Sequence, residues 1–199
     1  MKVVTWNVNS LNVRLEHVID WIKSNKPDIL CIQETKQTNE KFAHDAFSSI
    51  GYESYHNGQK TYNGVAIISN IPLQKITYDL PNFKDPQKRI ISGQYPSKKL
   101  GLVQVVSAYV PNGQSLDSDK FQYKIQWLDS FCEWSKNLLN NNKHVILTGD
   151  FNIAPDDKDC HNPKEWIDKV LVSPIERLSL IHISEPTRLL SIADGGVWV

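Results

Sequence analysis

The run Val145-Ile146-Leu147 leads straight into Thr148-Gly149-Asp150-Phe151-Asn152. An apolar, β-branched stretch of this length reads as an interior strand, yet it ends on a carboxylate and an amide. In open α/β sheets, ligands bind at the carboxyl ends of strands. The stretch therefore reads as a strand that delivers Asp150 and Asn152 to a site. Gly, Asp and Asn are also common turn formers, so a strand followed by an ordinary turn is the competing reading. The choice between them depends on whether other strands end in the same way.

They do. Lys2 to Val8 reads as a strand whose end carries Asn7, and Asp28-Ile29-Leu30-Cys31-Ile32-Gln33-Glu34 as one ending on Glu34, with Lys36 just beyond. Between the two, Leu15, Val18, Ile19 and Ile22 recur at helical spacing; Asn12 is a candidate cap, and Asn25 with Pro27 a stop. Strand, helix, strand suggests a βαβ unit. A second helix is expected over residues 41–49, with Phe42, Ala46 and Phe47 on one side. The middle of the chain breaks into short strand-like runs separated by Gly, Pro and Asn, read as an antiparallel meander, and the last of these ends on Tyr109. An amphipathic helix is expected over residues 120–139, with Phe121, Ile125, Leu128, Phe131 and Cys132 at helical intervals. Two sheets with helices outside accommodate this order.

Asn7, Glu34, Tyr109, Asp150 and Asn152 thus form a set of polar strand ends. Carboxylate and carboxamide oxygens suit a hard divalent cation such as Mg²⁺, held by one or two carboxylates while waters and a substrate phosphate fill its shell. The alternative is a series of unrelated surface turns. The three cysteines, Cys31, Cys132 and Cys160, match no zinc or redox spacing, and their odd count argues against a disulfide framework. With 22 basic and 22 acidic residues the formal net charge is zero, which removes any argument for nucleic-acid binding from bulk charge. No signal peptide opens the chain and no apolar run approaches a membrane span, so a cytoplasmic protein is expected.

Several segments carry a family resemblance: TWNVNSLNVR, PDILCIQETK, YHNGQKTYNGVAIIS, KRIISGQYP, SAYVPNG and LTGDFNIAPDDKD. In this order they resemble the exonuclease III family of Mg²⁺-dependent apurinic/apyrimidinic endonucleases, within the endonuclease/exonuclease/phosphatase superfamily. The match covers roughly residues 1–177. The resemblance implies a four-layer α/β sandwich, two mixed sheets flanked by helices, with the site at the strand ends along one rim. It implies cleavage of double-stranded DNA 5′ to abasic sites and trimming of 3′ ends by a monomer, with Mg²⁺ or Mn²⁺ as cofactor.

Residue roles follow from the same resemblance. Glu34 matches the metal-binding glutamate, and Asn7 the amide beside it, which either orients Glu34 or joins the metal shell. Asp150 matches the aspartate that activates the attacking water, Asn152 the amide that binds the scissile phosphate, and Tyr109 the site tyrosine. Lys36 is expected beside the site or on the DNA backbone. Lys60, Lys88 and Arg89 fall where the family touches backbone phosphates, and Asn63 where it approaches the site or a DNA strand. For each of these the alternative is a solvated surface side chain. None of His17, His44, His144, His161 and His182 matches a site histidine.

After Arg177 the resemblance stops. The family's tryptophan-rich loop, its Arg-Ile-Asp strand and its terminal Ser-Asp-His are not found in LSLIHISEPTRLLSIADGGVWV. Neither Trp198 nor Asp194 sits in a family motif. The stretch LIHISEPTRLL reads as translated adaptor sequence. The expectation is a domain over residues 1–177, incomplete at its C-terminus, and a non-family tail over 178–199, artefactual or disordered, that does not dock as strands and leaves little nuclease activity. Competing functions are another phosphoesterase of the superfamily, a non-catalytic nucleic-acid binder on the same fold, and an inactive fragment.

Overall fold

The computed structural model describes residues 1–184 and 189–194. One sheet contains β1 (Val3–Asn7), β2 (Ile29–Gln33), β3 (Glu53–Asn57) and β4 (Val65–Ser69) in the spatial order β1-β2-β4-β3. β1 and β2 are parallel, and the other pairs antiparallel. The second sheet orders β5 (Gln74–Tyr78), β6 (Ile90–Ser97), β7 (Gly101–Tyr109), β8 (Val145–Asp150) and β9 (Leu189–Asp194) as β5-β6-β7-β8-β9. β5 to β7 form an antiparallel meander, and β7, β8 and β9 run parallel. The parallel pairs β1–β2, β7–β8 and β8–β9 are joined through α1 (Leu11–Asn25), α3 (Asp119–Asn141) and α4 (Pro174–Ser184) respectively.

Side-chain alternation builds four layers. Successive strand residues point to opposite faces, and the central strands are apolar on both. Ile29 and Cys31 of β2, with Val65 and Ile67 of β4, meet Val103 and Val105 of β7 and Ile146 of β8 between the sheets. Leu30, Ile32, Ala66 and Ile68 face the other way, against Leu11, Val18 and Ile22 of α1 and against Phe42 and Phe47. On the far side, Val106, Ala108, Val145 and Leu147 pack on Trp127, Leu128 and Phe131 of α3 and on Leu180 and Ile183 of α4. The architecture is the four-layer α/β sandwich the resemblance implies. A polar seam crosses the middle layer: buried Gln33 donates through Nε2 to Thr5 Oγ1 and to Ser107 Oγ of the opposite sheet, both at 3.1 Å. It lies one residue below the rim and fixes how the two sheets meet.

Some local expectations change. Asn12 does not cap α1. The helix starts at Leu11 after Ser10, which makes no side-chain cap bond, and the Asn12 amide oxygen instead accepts from Gln37. Only His44–Ser48 is α-helical in the second helical segment (α2), behind a 3₁₀ turn at Asn39–Lys41. Phe42 leaves the helix in extended conformation and stacks its ring on Phe47 and His56. α3 extends the expected helix at both ends, and its first turn is capped by Ser118 Oγ, which accepts from Phe121 N at 3.1 Å.

Residue 178, where a non-family tail is expected to begin, lies inside α4, whose buried positions Glu176, Ser179, Leu180 and Ile183 follow one helical face, with Leu180 and Ile183 in the outer core. Within the region expected not to dock, Leu189–Asp194 pairs in parallel with β8. Residues 185–188 and 195–199 of that region, Trp198 among them, lie outside the described residues.

Candidate active site

The carboxyl ends of β1, β2, β7 and β8 converge on one rim. In β1–β2 the register aligns Asn7 with Gln33, so Glu34 emerges one residue later; in β7–β8 it aligns Tyr109 with Asp150. Gly149 makes the second alignment possible. Its φ is +154°, and a Cβ there would lie 2.1 Å from the Ala108 carbonyl oxygen. Only a residue without a side chain lets β8 approach β7 this closely just before Asp150.

Asn7 joins the two sheets at the rim. Its Nδ2 donates to Glu34 Oε1 at 2.9 Å and to Asp150 Oδ2 at 2.8 Å, while its Oδ1 accepts from Asn9 N at 3.0 Å. Tyr109 OH donates to the same Glu34 Oε1 at 2.9 Å. Lys36 pairs with Glu34 Oε2 at 3.0 Å and donates to Asn9 Oδ1 at 2.5 Å. Asp150 Oδ1 accepts from Asn152 N at 3.0 Å, and Asn152 Nδ2 donates to the Val110 carbonyl at 2.9 Å. Glu34 and Lys36 (both φ 55°), Asn152 (φ 49°) and Asn63 (φ 57°) all adopt left-handed backbone. Such conformations cost energy in residues with a side chain and gather at functional sites.

The two carboxylates are pushed in opposite directions. Burial works against ionisation of Glu34, but the bonds from Asn7, Lys36 and Tyr109, with the Lys36 charge, outweigh it and hold its pKa below the usual value. Burial dominates at Asp150 and raises its pKa, despite the bonds from Asn7 and Asn152. Burial, then the Glu34 charge and hydrogen bond, push the Tyr109 phenol up, so it remains a donor. A pair of carboxyl groups separated in this way offers one permanent anion and one proton acceptor.

Beside this cluster lies a cleft of about 660 Å³ lined by Gln59, Tyr62, Asn63, Gln87, Arg89 and the turn at Asn112. Asn63 is buried and donates to Gln59 and Gln87. Arg89, expected as a DNA-backbone contact, is 9% exposed. Its guanidinium donates twice to Gln87 Oε1 and once to the Tyr109 carbonyl, and lies 4.9 Å from the Tyr109 ring centroid. As placed it holds Tyr109 instead of reaching outward. Lys88 is likewise engaged, with Asp79 at 2.7 Å. Lys60 is exposed on the β3–β4 loop. The rim cluster therefore gathers Asn7, Glu34, Lys36, Tyr109, Asp150 and Asn152, with Asn63 and Arg89 beside it; Lys60 and Lys88 are not part of it.

Comparison with known proteins follows this geometry. Residues 4–185 match the Endonuclease/Exonuclease/phosphatase family. The chain belongs to that family. Exodeoxyribonuclease III of Haemophilus influenzae is 30% identical over 173 residues, which is 84% of this chain and 64% of the relative. The chain thus spans just under two thirds of that protein. A 3′ phosphatase from Neisseria, solved with a product DNA hairpin, is 41% identical with a TM-score of 0.89, covering 93% of this chain and 70% of that one. An AP endonuclease from Archaeoglobus fulgidus is 36% identical with a TM-score of 0.84 over 93% and 70% of the two chains.

The family depends on a divalent metal, and the donor set at the rim fits a hard one. Among the described residues no group of three or more His, Cys, Asp or Glu is placed to hold a metal. A cation at the rim would then rest on one or two carboxylates, leaving most of its shell to water and substrate, as Mg²⁺ prefers. Glu34 suits this, with a side chain 18% exposed at the rim. As placed, Asn7 turns its amide nitrogen to the two carboxylates and its oxygen to Asn9 N, which corresponds to the first of its two expected roles, orienting Glu34. Carboxylates only accept hydrogen bonds, so the amide nitrogen faces them, and the oxygen accepts one bond from Asn9 N. Asn7 ties the carboxylates together. Sequence reasoning also missed Asn9, Gln87 and Lys124. The first two carry no signal beyond being polar loop residues. Lys124 does carry one, since a lysine three residues after Phe121 and four before Leu128 falls within the apolar stripe of α3.

Proposed function

We propose that this chain carries the core of a Mg²⁺-dependent exodeoxyribonuclease III/AP endonuclease, which cleaves duplex DNA 5′ to abasic sites and trims 3′ ends. Mn²⁺ is the alternative metal. The observation that carries the reading is the Asn7 amide bridging Glu34 and Asp150 from two different sheets, beside a cleft lined by amide and aromatic side chains.

Glu34 would hold the cation, which when bound supplies positive charge against the scissile phosphate. The rest falls to the chain. Asp150, with its raised pKa, accepts the proton of the attacking water. Asn7 keeps Asp150 and Glu34 at fixed separation, so little reorganisation is needed when charge develops. Asn152 has given one amide hydrogen to Val110 O and keeps a second for a phosphate oxygen. Tyr109, held protonated and braced by Arg89, is a further donor at the rim. Lys60, and Lys88 on releasing Asp79, would contact the DNA backbone without reading sequence. The protein acts as a monomer in the cytoplasm; among the described residues no helix is long and apolar enough to cross a membrane.

An incision assay with Mg²⁺ tests this. Its substrates are an abasic duplex, an intact duplex, a duplex with a 3′-phosphate and an inositol phosphate. Preference for the abasic and 3′-blocked duplexes is expected, because a missing base lowers the cost of extruding the sugar. Binding should weaken with added salt as phosphate contacts release counterions. Preference for the inositol phosphate refutes the DNA reading.

A further inference from the structure

Lys124 lies in the second turn of the 23-residue α3 and is fully buried, as is its partner Glu176 on α4. The ammonium has three hydrogens and three acceptors: Asn152 O at 2.7 Å, Asn112 O at 3.2 Å and Glu176 Oε1 at 2.5 Å. Glu176 is equally committed. Its Oε1 also accepts from Leu171 N at 3.0 Å, and its Oε2 accepts from Ser173 N at 3.1 Å and Ser173 Oγ at 2.5 Å. A buried ion pair is weak stabilisation, since apolar side chains of similar volume often do as well. This pair therefore calls for a use other than stability.

Its contacts indicate one. Asn112 belongs to the loop after β7, which carries Tyr109, and Asn152 to the loop after β8, which carries Asp150. Both carbonyls are fixed from beneath by a single nitrogen on a long helix. The two loops are also tied directly, by Asn152 Nδ2 to Val110 O at 2.9 Å. Gly113, with φ +96°, packs on the Lys124 side chain, where an added Cβ would lie 3.2 Å from Cδ. Glu176 extends the tie to the segment 171–173, whose Leu171 O accepts from Ala154 N at 2.7 Å. We propose that Lys124 and Glu176 are a positioning pair for the active site: through backbone carbonyls they set the loop carrying Asn152 and the Asn112–Gly113 wall of the cleft, without touching substrate. The activity part of this proposal rests on the phosphodiesterase reading above; the positioning part does not.

The test is the double variant Lys124→Met/Glu176→Gln, which removes both charges together at near-constant volume. Amide hydrogen exchange and turnover on the abasic duplex are measured beside the wild-type chain. Exchange is expected to rise at residues 112–114 and 152–154 while α1 and β2 keep their protection. Turnover should fall about 10- to 100-fold, as for a small misplacement of reacting groups, with KM changed by less than about threefold. Lys124→Gln/Glu176→Gln, which also leaves no buried charge but keeps polar groups for Asn152 O and Leu171 N, should show the same localised loosening to a smaller extent, and it replaces the first double variant if that does not fold. Wild-type exchange at both segments, or a rise spread evenly over the chain, overturns the proposal. A wild-type protein that cuts none of the DNA substrates refutes the functional reading instead, and the exchange pattern still decides the pair.

Discussion

Acid should destabilise this fold in a way that can be traced to His56. The imidazole is 5% exposed, stacked on Phe42 with ring centroids 4.1 Å apart, and paired through Nε2 with Thr35 Oγ1 at 2.8 Å. Its Nδ1 is buried without a partner, so a second proton there would be unsatisfied. Burial, and secondarily the charge of His44, lower its pKa from 6.5 to about 3. The unfolded chain takes up a proton below pH 6.5, whereas the folded one stays neutral until about 3. Across that window the unfolded state binds more protons, so stability falls as pH falls. The contribution is fully present above 6.5 and lost towards 3, at about 1.4 kcal/mol per pH unit, or about 2.7 kcal/mol by pH 4.5. Carboxylates titrate in the same range, so the comparison must be differential. Urea unfolding at about pH 7.5 and about pH 4.5 is measured for the wild type and for His56→Gln, whose amide can still reach Thr35 but does not titrate. The wild type should lose about 2.7 kcal/mol more than the variant between the two conditions. Equal losses would show that His56 is protonated in the fold, and the burial argument would fail. Because Thr35 sits between Glu34 and Lys36, the same protonation should also loosen the rim.

Three further outcomes are expected. Gly149→Ala should destabilise by more than about 2 kcal/mol in urea unfolding, because its Cβ meets the Ala108 carbonyl at 2.1 Å; a change within about 0.5 kcal/mol would mean that β8 can shift freely. Glu34→Gln should weaken Mn²⁺ binding followed by electron paramagnetic resonance, and an unchanged affinity would move the cation elsewhere. Asn7→Ala removes a bond that lowers the Asp150 pKa, so the acid limb of the kcat/KM profile should move to higher pH; a limb that stays in place would exclude Asp150 as the proton acceptor.

The sequence by itself determined the strands, the long helix and the polar ends. The continuous apolar runs of β2, β4 and β8, and the helical spacing of Val18 and Ile22 or Leu128 and Phe131, are local properties of a chain that must bury apolar faces. For the same reason Asn7, Glu34, Tyr109, Asp150 and Asn152 were legible as strand-end groups. Their partners were not. Whether Asn7 offers an oxygen to a metal or a nitrogen to two carboxylates depends on the arrival of Asp150, 143 residues away, from the other sheet. Arg89 reads as a surface cation until Gln87 and Tyr109 enclose it, and Lys124 as a flaw in an apolar stripe until Asn112, Asn152 and Glu176 surround its nitrogen. Hydrophobic periodicity records which face of an element is buried. The direction and charge state of a polar group are set by the partners that replace its water, and only the tertiary structure decided which those are.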